Sequence, residues 1–312
     1  MKICSLLPST TEIVYALGLE DQLVGVTHEC DYPPGARSKP VVTRSHIHPE
    51  EKTGTEIDQT VTETLSKGES LYALDVELLS KLEPDLIITQ KLCAVCAVAY
   101  DQVVAVAGNL PGRPQVASLE PTTLAEIFET IRRVGELTGT SGRADRLVGE
   151  LKERVDRVRT KTSRAPSKPR VLSLEWVDPP FGGGQWHPEL VEIAGGEDGL
   201  GNPGGPSPRL DWKDVESFAP EVVVLMPCGF EVPRAAQEYA RASLPKFWDG
   251  LPAVQSGRVF ALNGNAYFNR PGPRIVDSLE LLAGVVQPKF VELGAEAEGH
   301  WIHLGSSRVG AS

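Results

Sequence analysis

The sequence predicts an α/β protein: two Rossmann-like lobes joined by one long α-helix, with a ligand cleft between the lobes. Three observations predict it. Short apolar runs, bounded by Pro, Gly and polar residues, alternate with helix-period segments along most of the chain, as they do where parallel strands are covered by helices on both faces. One passage is written twice: Asp75 to Gln90 and Asp211 to Met226 each read as an acidic helix start, a helix, a residue followed by proline, and an apolar strand. A helical pattern also runs from Thr122 to Arg159, broken only near Thr138 to Gly142. Its second part, Arg143 to Arg159, is roughly 25 Å long as a helix and can span two lobes. The expected organisation is an N-terminal lobe over 1–139, a connecting helix and linker over 140–168, a C-terminal lobe over 169–290 and a tail over 291–312.

Each element follows in order. Lys2 to Leu7 is a first buried strand, and Pro8-Ser9-Thr10-Thr11-Glu12 opens a helix, capped by Ser9 or Thr10, that runs through Ile13 to Leu17 and stops at Gly18. Leu23 to Thr27 is the next strand and delivers His28, Cys30 and Tyr32 to the same edge. Pro84 cannot continue a helix, and Leu86 to Ile88 is too short and apolar for anything but a buried strand. It opens on the loop holding Cys93 and Cys96, after which an apolar helix from Ala97 to Ala107 ends at Gly108. Val116 to Leu119 is a fourth strand. Past the basic, proline-bearing linker Ser163 to Pro169 the plan repeats: strand Arg170 to Leu174, loop Glu175 to His187, helix Pro188 to Ala194, and a Gly/Pro-rich loop from Gly199 to Pro208. The repeated strand runs into Cys228, a helix covers about Arg234 to Ala242, and Val259 to Leu262 leads through Asn263 to Arg274 into the helix Ile275 to Val285. Gly294 to Ser312 lacks periodicity and is expected to fray.

Composition narrows the function. The chain has 312 residues, 41% hydrophobic and 23% charged, with a net charge of −11, which argues against a nucleic-acid surface; the basic stretch Arg154 to Arg170 reads as a solvated helix end. No window is long and apolar enough for a membrane span. Met1 to Pro8 carries no secretory pattern, which places the chain in the cytoplasm, or in the periplasm or outside only if a leader had been removed. Five cysteines, an odd number, agree with reduced thiols. A monomer is expected.

The chain resembles the solute-binding proteins that deliver cobalamin and iron complexes to ABC importers, the type whose two lobes are joined by a long helix. The resemblance is carried by Ser5-Leu6-Leu7-Pro8-Ser9-Thr10-Thr11-Glu12-Ile13, by Leu82 to Ile88, by Pro245-Lys246-Phe247-Trp248 with Leu251 to Val254 and Gly257-Arg258-Val259, and by Arg270-Pro271-Gly272-Pro273-Arg274. It covers the chain to about residue 288 and is closest to sequences called cobalamin-binding proteins. It implies a non-catalytic protein that holds a corrinoid or a related metal complex, with an ABC importer as partner.

Two residue sets compete for the chemistry of the strand-edge loops. Tyr32, Trp176, Phe181, Trp186, Tyr267 and Phe268 are aromatic walls suited to a large flat ligand such as a corrin, with lobe packing an equal account of Phe181 and Phe268. Ser9, Thr10, Arg270 and Arg274 sit at helix starts as polar contacts, the arginines serving equally as interlobe ion pairs. His28, His187 or a thiolate would be the axial cobalt ligand. The second set is Cys30, Cys93, Cys96 and Cys228, a soft four-thiolate site for zinc or an iron-sulfur cluster in a cytosolic metalloprotein or redox protein. Against it stands the ordinary use of a free cysteine as a small hydrophobe. A reversible Cys93–Cys96 disulfide ranks below both. Cys4, inside the first strand, is core; His46 and His48 are solvated; no Ser/His/Asp arrangement or carboxylate pair compels catalysis.

Overall fold

The fold is that of a computed structural model describing residues 1–47, 52–67, 70–91 and 98–305. The chain divides into two compact units, Met1–Pro121 with Glu126–Gly149, and Thr122–Ala125 with Glu150–Ser312. The first comprises β1 (Ile3–Ser5), α1 (Pro8–Ala16), β2 (Leu23–Gly25), β3 (Thr43–Ser45), α2 (Gly54–Ser66), β4 (Tyr72–Leu74), α3 (Val76–Leu82), β5 (Leu86–Thr89), α4 (Tyr100–Asn109), β6 (Gln115–Ser118) and most of α5 (Leu124–Leu137). The helix α6 (Ser141–Thr162) begins in this unit and ends in the other; its 22 residues make it about 33 Å long.

In the first unit the sheet order is β2-β1-β5-β6, all parallel, beside a separate antiparallel pair β3–β4. All four residues of β5 are buried, as a central parallel strand covered on both faces requires. Leu6 N continues the ladder by donating to Ile88 O at 2.9 Å, and Leu119 N to Thr89 O at 2.9 Å, so the chain leaves β1, β5 and β6 at one common edge.

The second unit comprises β7 (Val171–Trp176), β8 (Phe181–Gly182), β9 (Gly184–Gln185), α7 (His187–Ile193), β10 (Asn202–Pro203), α8 (Trp212–Phe218), β11 (Val222–Leu225), α9 (Val232–Arg241), α10 (Pro252–Gln255), β12 (Val259–Leu262), α11 (Ile275–Val286) and β13 (Trp301–His303). Its sheet runs β13-β12-β11-β7-β8; the three central strands are parallel and the outer two antiparallel. Under it lies an aromatic core in which Trp248, 1% exposed, donates from Nε1 to the Tyr239 hydroxyl at 3.0 Å and meets the edge of Trp212. Arg154 in the second half of α6 is bidentate to Glu280 at 3.0 and 2.6 Å and reaches Asp277 at 2.5 Å, tying that part of the long helix to α11.

The internal repeat extends to atomic detail. Asp75 caps α3 by accepting from Leu78 N at 2.9 Å, and Asp211 caps α8 by accepting from Lys213 N at 2.9 Å. Each helix ends on a left-handed residue before proline, Glu83 with φ 49° and Ala219 with φ 48°, because the following ring disfavours the right-handed region. The acidic residue after each proline then accepts from the backbone entering the neighbouring strand: Asp85 from Lys2 N at 2.7 Å, Glu221 from Arg170 N at 3.0 Å. A left-handed residue with a Cβ costs on the order of 1–2 kcal/mol. Ala219→Val is therefore expected to lower urea-unfolding stability by about 1–2 kcal/mol, because β-branching deepens the clash, whereas Ala219→Gly should leave it within about 1 kcal/mol of the parent. A valine variant as stable as the parent would show that the turn relaxes.

Two stretches differ from the expectation. Within Gly294 to Ser312, β13 pairs antiparallel with β12, Trp301 packs on Phe260 with ring centres 6.0 Å apart, and Leu304 N donates to Val259 O. A three-residue edge strand is too short to show a period. The loops Glu175 to His187 and Gly199 to Pro208 contain β8, β9 and β10, with β9 parallel to β10; Gly184 lets the Pro206–Ser207 backbone after β10 pass close to β9, since a Cβ there would come inside 3.0 Å of the Ser207 backbone.

Candidate functional site

In an open parallel sheet, loops and helix N-termini converge at the carboxyl ends of the strands, where ligands bind. Both units are built this way. In the first, β1 leads into α1, whose cap residue Leu7 is extended and gives no side-chain cap. Ser9 is 5% exposed and Thr10 fully buried, with Thr10 Oγ1 lacking a hydrogen-bond partner. Past β2, His28 Nδ1 lies 2.7 Å from Thr43 Oγ1 and Nε2 3.3 Å from Glu29, and Tyr32 is 42% exposed.

The expected thiol set is not assembled by the described residues. Cys93 and Cys96 lie outside them. Cys30 is 5% exposed, with its sulfur 3.0 Å from Thr11 Oγ1, which in turn donates to Ser5 Oγ at 2.9 Å. Cys4 lies inside β1, and alternation along the strand turns it to the face opposite Ser5. Burial, with the nearby Cys30 adding to it, pushes the Cys4 thiol up to about 12, so it is a neutral core group. Cys228 is exposed and belongs to the second unit. Among the described residues no group of three or more His, Cys, Asp or Glu side chains is spaced to hold a metal ion. The residues on hand thus give the zinc or iron-sulfur reading no support.

In the second unit, the carboxyl ends of β7, β11 and β12 present a row of aromatic and cationic side chains. Trp176 ends β7 and meets Phe230 after β11, ring centres 5.1 Å apart. The Arg234 guanidinium lies 5.0 Å from the Phe230 ring centre and is paired with Glu238 at 3.1 Å. After β12, Tyr267 carries Arg274 over its face at 5.4 Å and meets His300 edge-on at 4.8 Å. Burial, and then Arg274, lowers the His300 pKa. These loops are fastened to one another: Asn265 N donates to Phe230 O at 3.0 Å, Asn269 Nδ2 to Met226 O at 3.1 Å, and Arg270, 6% exposed, to Asn265 Oδ1 at 3.1 Å. Arg270 thus supports the loop from within, and Arg274 is the more accessible of the two arginines.

Trp186 and His187 are also interior. Trp186, 6% exposed, donates from Nε1 to Phe268 O at 2.8 Å; His187, 2% exposed, lies 2.9 Å from Glu175 Oε1 and 3.0 Å from Gly184 O through Nδ1. The Glu175 carboxylate also accepts from Gly184 N at 2.7 Å and Ser207 Oγ at 2.8 Å. The space beside the neighbouring glycines is filled by protein: a Cβ at Gly183 would meet His187 and Ser173, and one at Gly182 would meet Leu210 and the Leu200 carbonyl. Sequence reasoning passed over Glu175, Phe230 and Arg234. A signal for Glu175 existed, because period-2 alternation in β7 places Ser173 and Glu175 on one face while Leu172, Leu174 and Trp176 take the other.

Paired α/β units with aromatic and polar loops at the strand ends define a solute-binding protein fold. The chain belongs to the family described as Periplasmic binding protein, which matches residues 3–266. It is 25% identical over 293 residues to the "Vitamin B12-binding protein" of Photorhabdus laumondii, covering 90% of this chain and 86% of the relative. Among solved structures it is similar to the periplasmic vitamin B12 binding protein of Vibrio cholerae, with a TM-score of 0.65, 23% identity and coverage of 92% and 96%. It is also similar to a periplasmic heme binding protein from Pseudomonas aeruginosa, with a TM-score of 0.71, 18% identity and coverage of 95% of both chains.

The family overturns the cytoplasmic expectation and points to a periplasmic or extracellular protein. That expectation rested on Met1 to Pro8, of which Ile3–Ser5 are a strand of the sheet and Pro8 the first residue of a helix. Residues that belong to the fold carry no information about the compartment. No helix of the described residues is long and apolar enough to cross a membrane.

Proposed function

We propose that this chain is a non-catalytic binding protein that holds a corrinoid, or a closely related planar metal complex, and hands it to an ABC importer. The observation that carries the reading is the row at the strand ends of the second unit, where Trp176, backed by the buried Phe230, and Tyr267 with Arg274 offer flat apolar surface edged by hydrogen-bonding groups on loops fastened to one another. A large, rigid, amide-edged ring system needs this combination, and the fastening lowers the ordering cost of binding. The identity to vitamin B12-binding relatives over nearly the whole chain supports the corrinoid in particular. Tyr32, Ser9 and Thr10 are the contributions proposed for the first unit; Trp186, His187 and Arg270 act as supports.

The test is gel filtration of the purified chain with cyanocobalamin, followed by a titration of tryptophan fluorescence. Co-elution of one corrinoid per chain is expected, and Trp176→Ala should weaken binding about tenfold, the loss of roughly 1.4 kcal/mol of aromatic contact. Retention of haemin without corrinoid would replace the ligand, and retention of neither would sink the reading.

A further inference from the structure

The segment that leads into β13 returns to the strand-end row of the second unit and meets it at Asn263, where four groups are committed. The Asn263 backbone N donates to His300 O at 2.9 Å, and its backbone O accepts from Tyr267 N at 3.2 Å. In the side chain, Oδ1 accepts from Ala266 N at 2.8 Å, and Nδ2 faces His300 Nδ1 at 3.3 Å. The Ala266 contact decides which way the amide points, because a backbone N–H needs an oxygen in front of it. The group turned to His300 is therefore the NH2 donor, so Nδ1 presents its lone pair and the hydrogen of the neutral ring is on Nε2. The same imidazole meets the Tyr267 ring with centres 4.8 Å apart and planes at 88°, and Arg274 lies over that tyrosine at 5.4 Å. Tyr267 is thus fixed at its backbone by Asn263 and at its ring by His300 and Arg274.

We propose that His300 is a positioning residue for solute binding: as a neutral hydrogen-bond acceptor it holds the turn from Asn263 to Tyr267 in its binding arrangement, and on protonation it releases that turn. The role rests on the reading of Tyr267 as a solute contact. A proton enters the neutral ring at Nδ1, where it would point at the Asn263 NH2 group, donor against donor. Two motions relieve the conflict. The amide turns over, which takes Oδ1 away from Ala266 N, or the imidazole swings out, which takes its ring away from Tyr267. Either motion loosens the turn that presents Tyr267. The surroundings act in the same direction on balance: burial, and then Arg274 at the start of α11, disfavour the cation, while Glu231 before α9 and Asp277 on α11 offset only part of this. Asp277 is itself paired with Arg154. His300 is therefore neutral near neutral pH, where the turn is set for binding, and takes up a proton only below the ordinary histidine value of about 6.5. Affinity is lost on the acid side.

The experiment pairs NMR of the free full chain across a pH titration, nitrogen-15 for the histidine rings and proton for Tyr267, with cyanocobalamin affinity over the same range. His300 should carry its hydrogen on Nε2 at neutral pH and titrate below the ordinary value, with the Tyr267 signals moving at the same midpoint. One pH unit below that midpoint only about a tenth of the chains have a neutral ring, so affinity should be about tenfold weaker. His300→Gln, which offers an acceptor oxygen and takes no charge, should remove this acid loss. A hydrogen on Nδ1 at neutral pH would overturn the proposal, and so would a midpoint at or above the ordinary value, as attraction of the cation to the Tyr267 ring would produce. Tyr267 signals that ignore the titration, or an acid loss retained in the glutamine variant, would do the same. Should that variant fail to fold, the spectra of the parent decide. A parent that binds no corrinoid at any pH sinks the solute reading, while its spectra still show whether His300 holds the turn.

Discussion

Glu175→Ala is expected to lower the stability of the protein by about 3–5 kcal/mol, because removing one member of a buried ion pair leaves the other charge uncompensated. The glutamate side chain is 13% exposed and His187 2%, and the carboxylate also serves Gly184 N and Ser207 Oγ, so three donors lose their acceptor together. The pair also sets a pH window. For Glu175, burial pushes the pKa up, but the His187 charge and the three hydrogen bonds outweigh it, and the net direction is down. For His187, burial pulls the pKa down, but Glu175 and Gly184 O outweigh it, and the net direction is up. A raised histidine stabilises fully below its ordinary range near 6.5 and loses that contribution as pH rises through the folded value. A depressed carboxylate stabilises above its ordinary range and loses the contribution as pH falls through its folded value. Thermal stability should therefore be greatest between these limits, from mildly acidic to near-neutral pH, and decline on the alkaline side. His187→Gln should flatten that alkaline limb; an unchanged limb in this variant would show that another group causes it.

Gly264→Ala should be the most damaging single-methyl change in the strand-edge loops, lowering stability by about 2–3 kcal/mol, near the upper end for overpacking. A Cβ at this position would come inside 3.0 Å of both the Pro227 and Met226 carbonyl oxygens, which are backbone and have no rotamer to offer. The contact joins the β11 and β12 loops, the place where Asn269 Nδ2 bridges Met226 O and Gly264 O at 3.1 and 3.0 Å. Forcing the loops apart moves Phe230 away from Tyr267, so solute binding should weaken together with stability. Gly250→Ala is the matched control, since a Cβ there meets nothing within 4 Å. A Gly264→Ala protein with parental melting and binding would show that the two loops are not held by backbone contact.

Much of the fold was legible in the chain because its signals are local. Pro84 and Pro220 end helices by ring geometry, Asp75 and Asp211 cap them, and Leu86 to Ile88 and Val222 to Leu225 are buried on both faces of a sheet; each fact follows from a few adjacent residues. The repeat was visible for the same reason, and so was the long helix Ser141–Thr162. The three-residue β13 and the two-residue β8, β9 and β10 were not legible, because segments that short are held by their partners and show no period of their own.

At the candidate site the sequence determined which residues reach the strand ends: Trp176, Cys228, Tyr267 and Arg274 all follow apolar runs whose direction fixes their edge. Only the tertiary structure decided which of them face outward. Trp186 turns in to the Phe268 carbonyl, His187 to Glu175, Arg270 to Asn265, and Cys30 to Thr11, each because a partner far away in the chain completes its hydrogen bonds or its packing. Residue type and local period record what a side chain is able to do. Whether it is spent on the interior or left for a solute depends on contacts between distant segments, which no local pattern encodes.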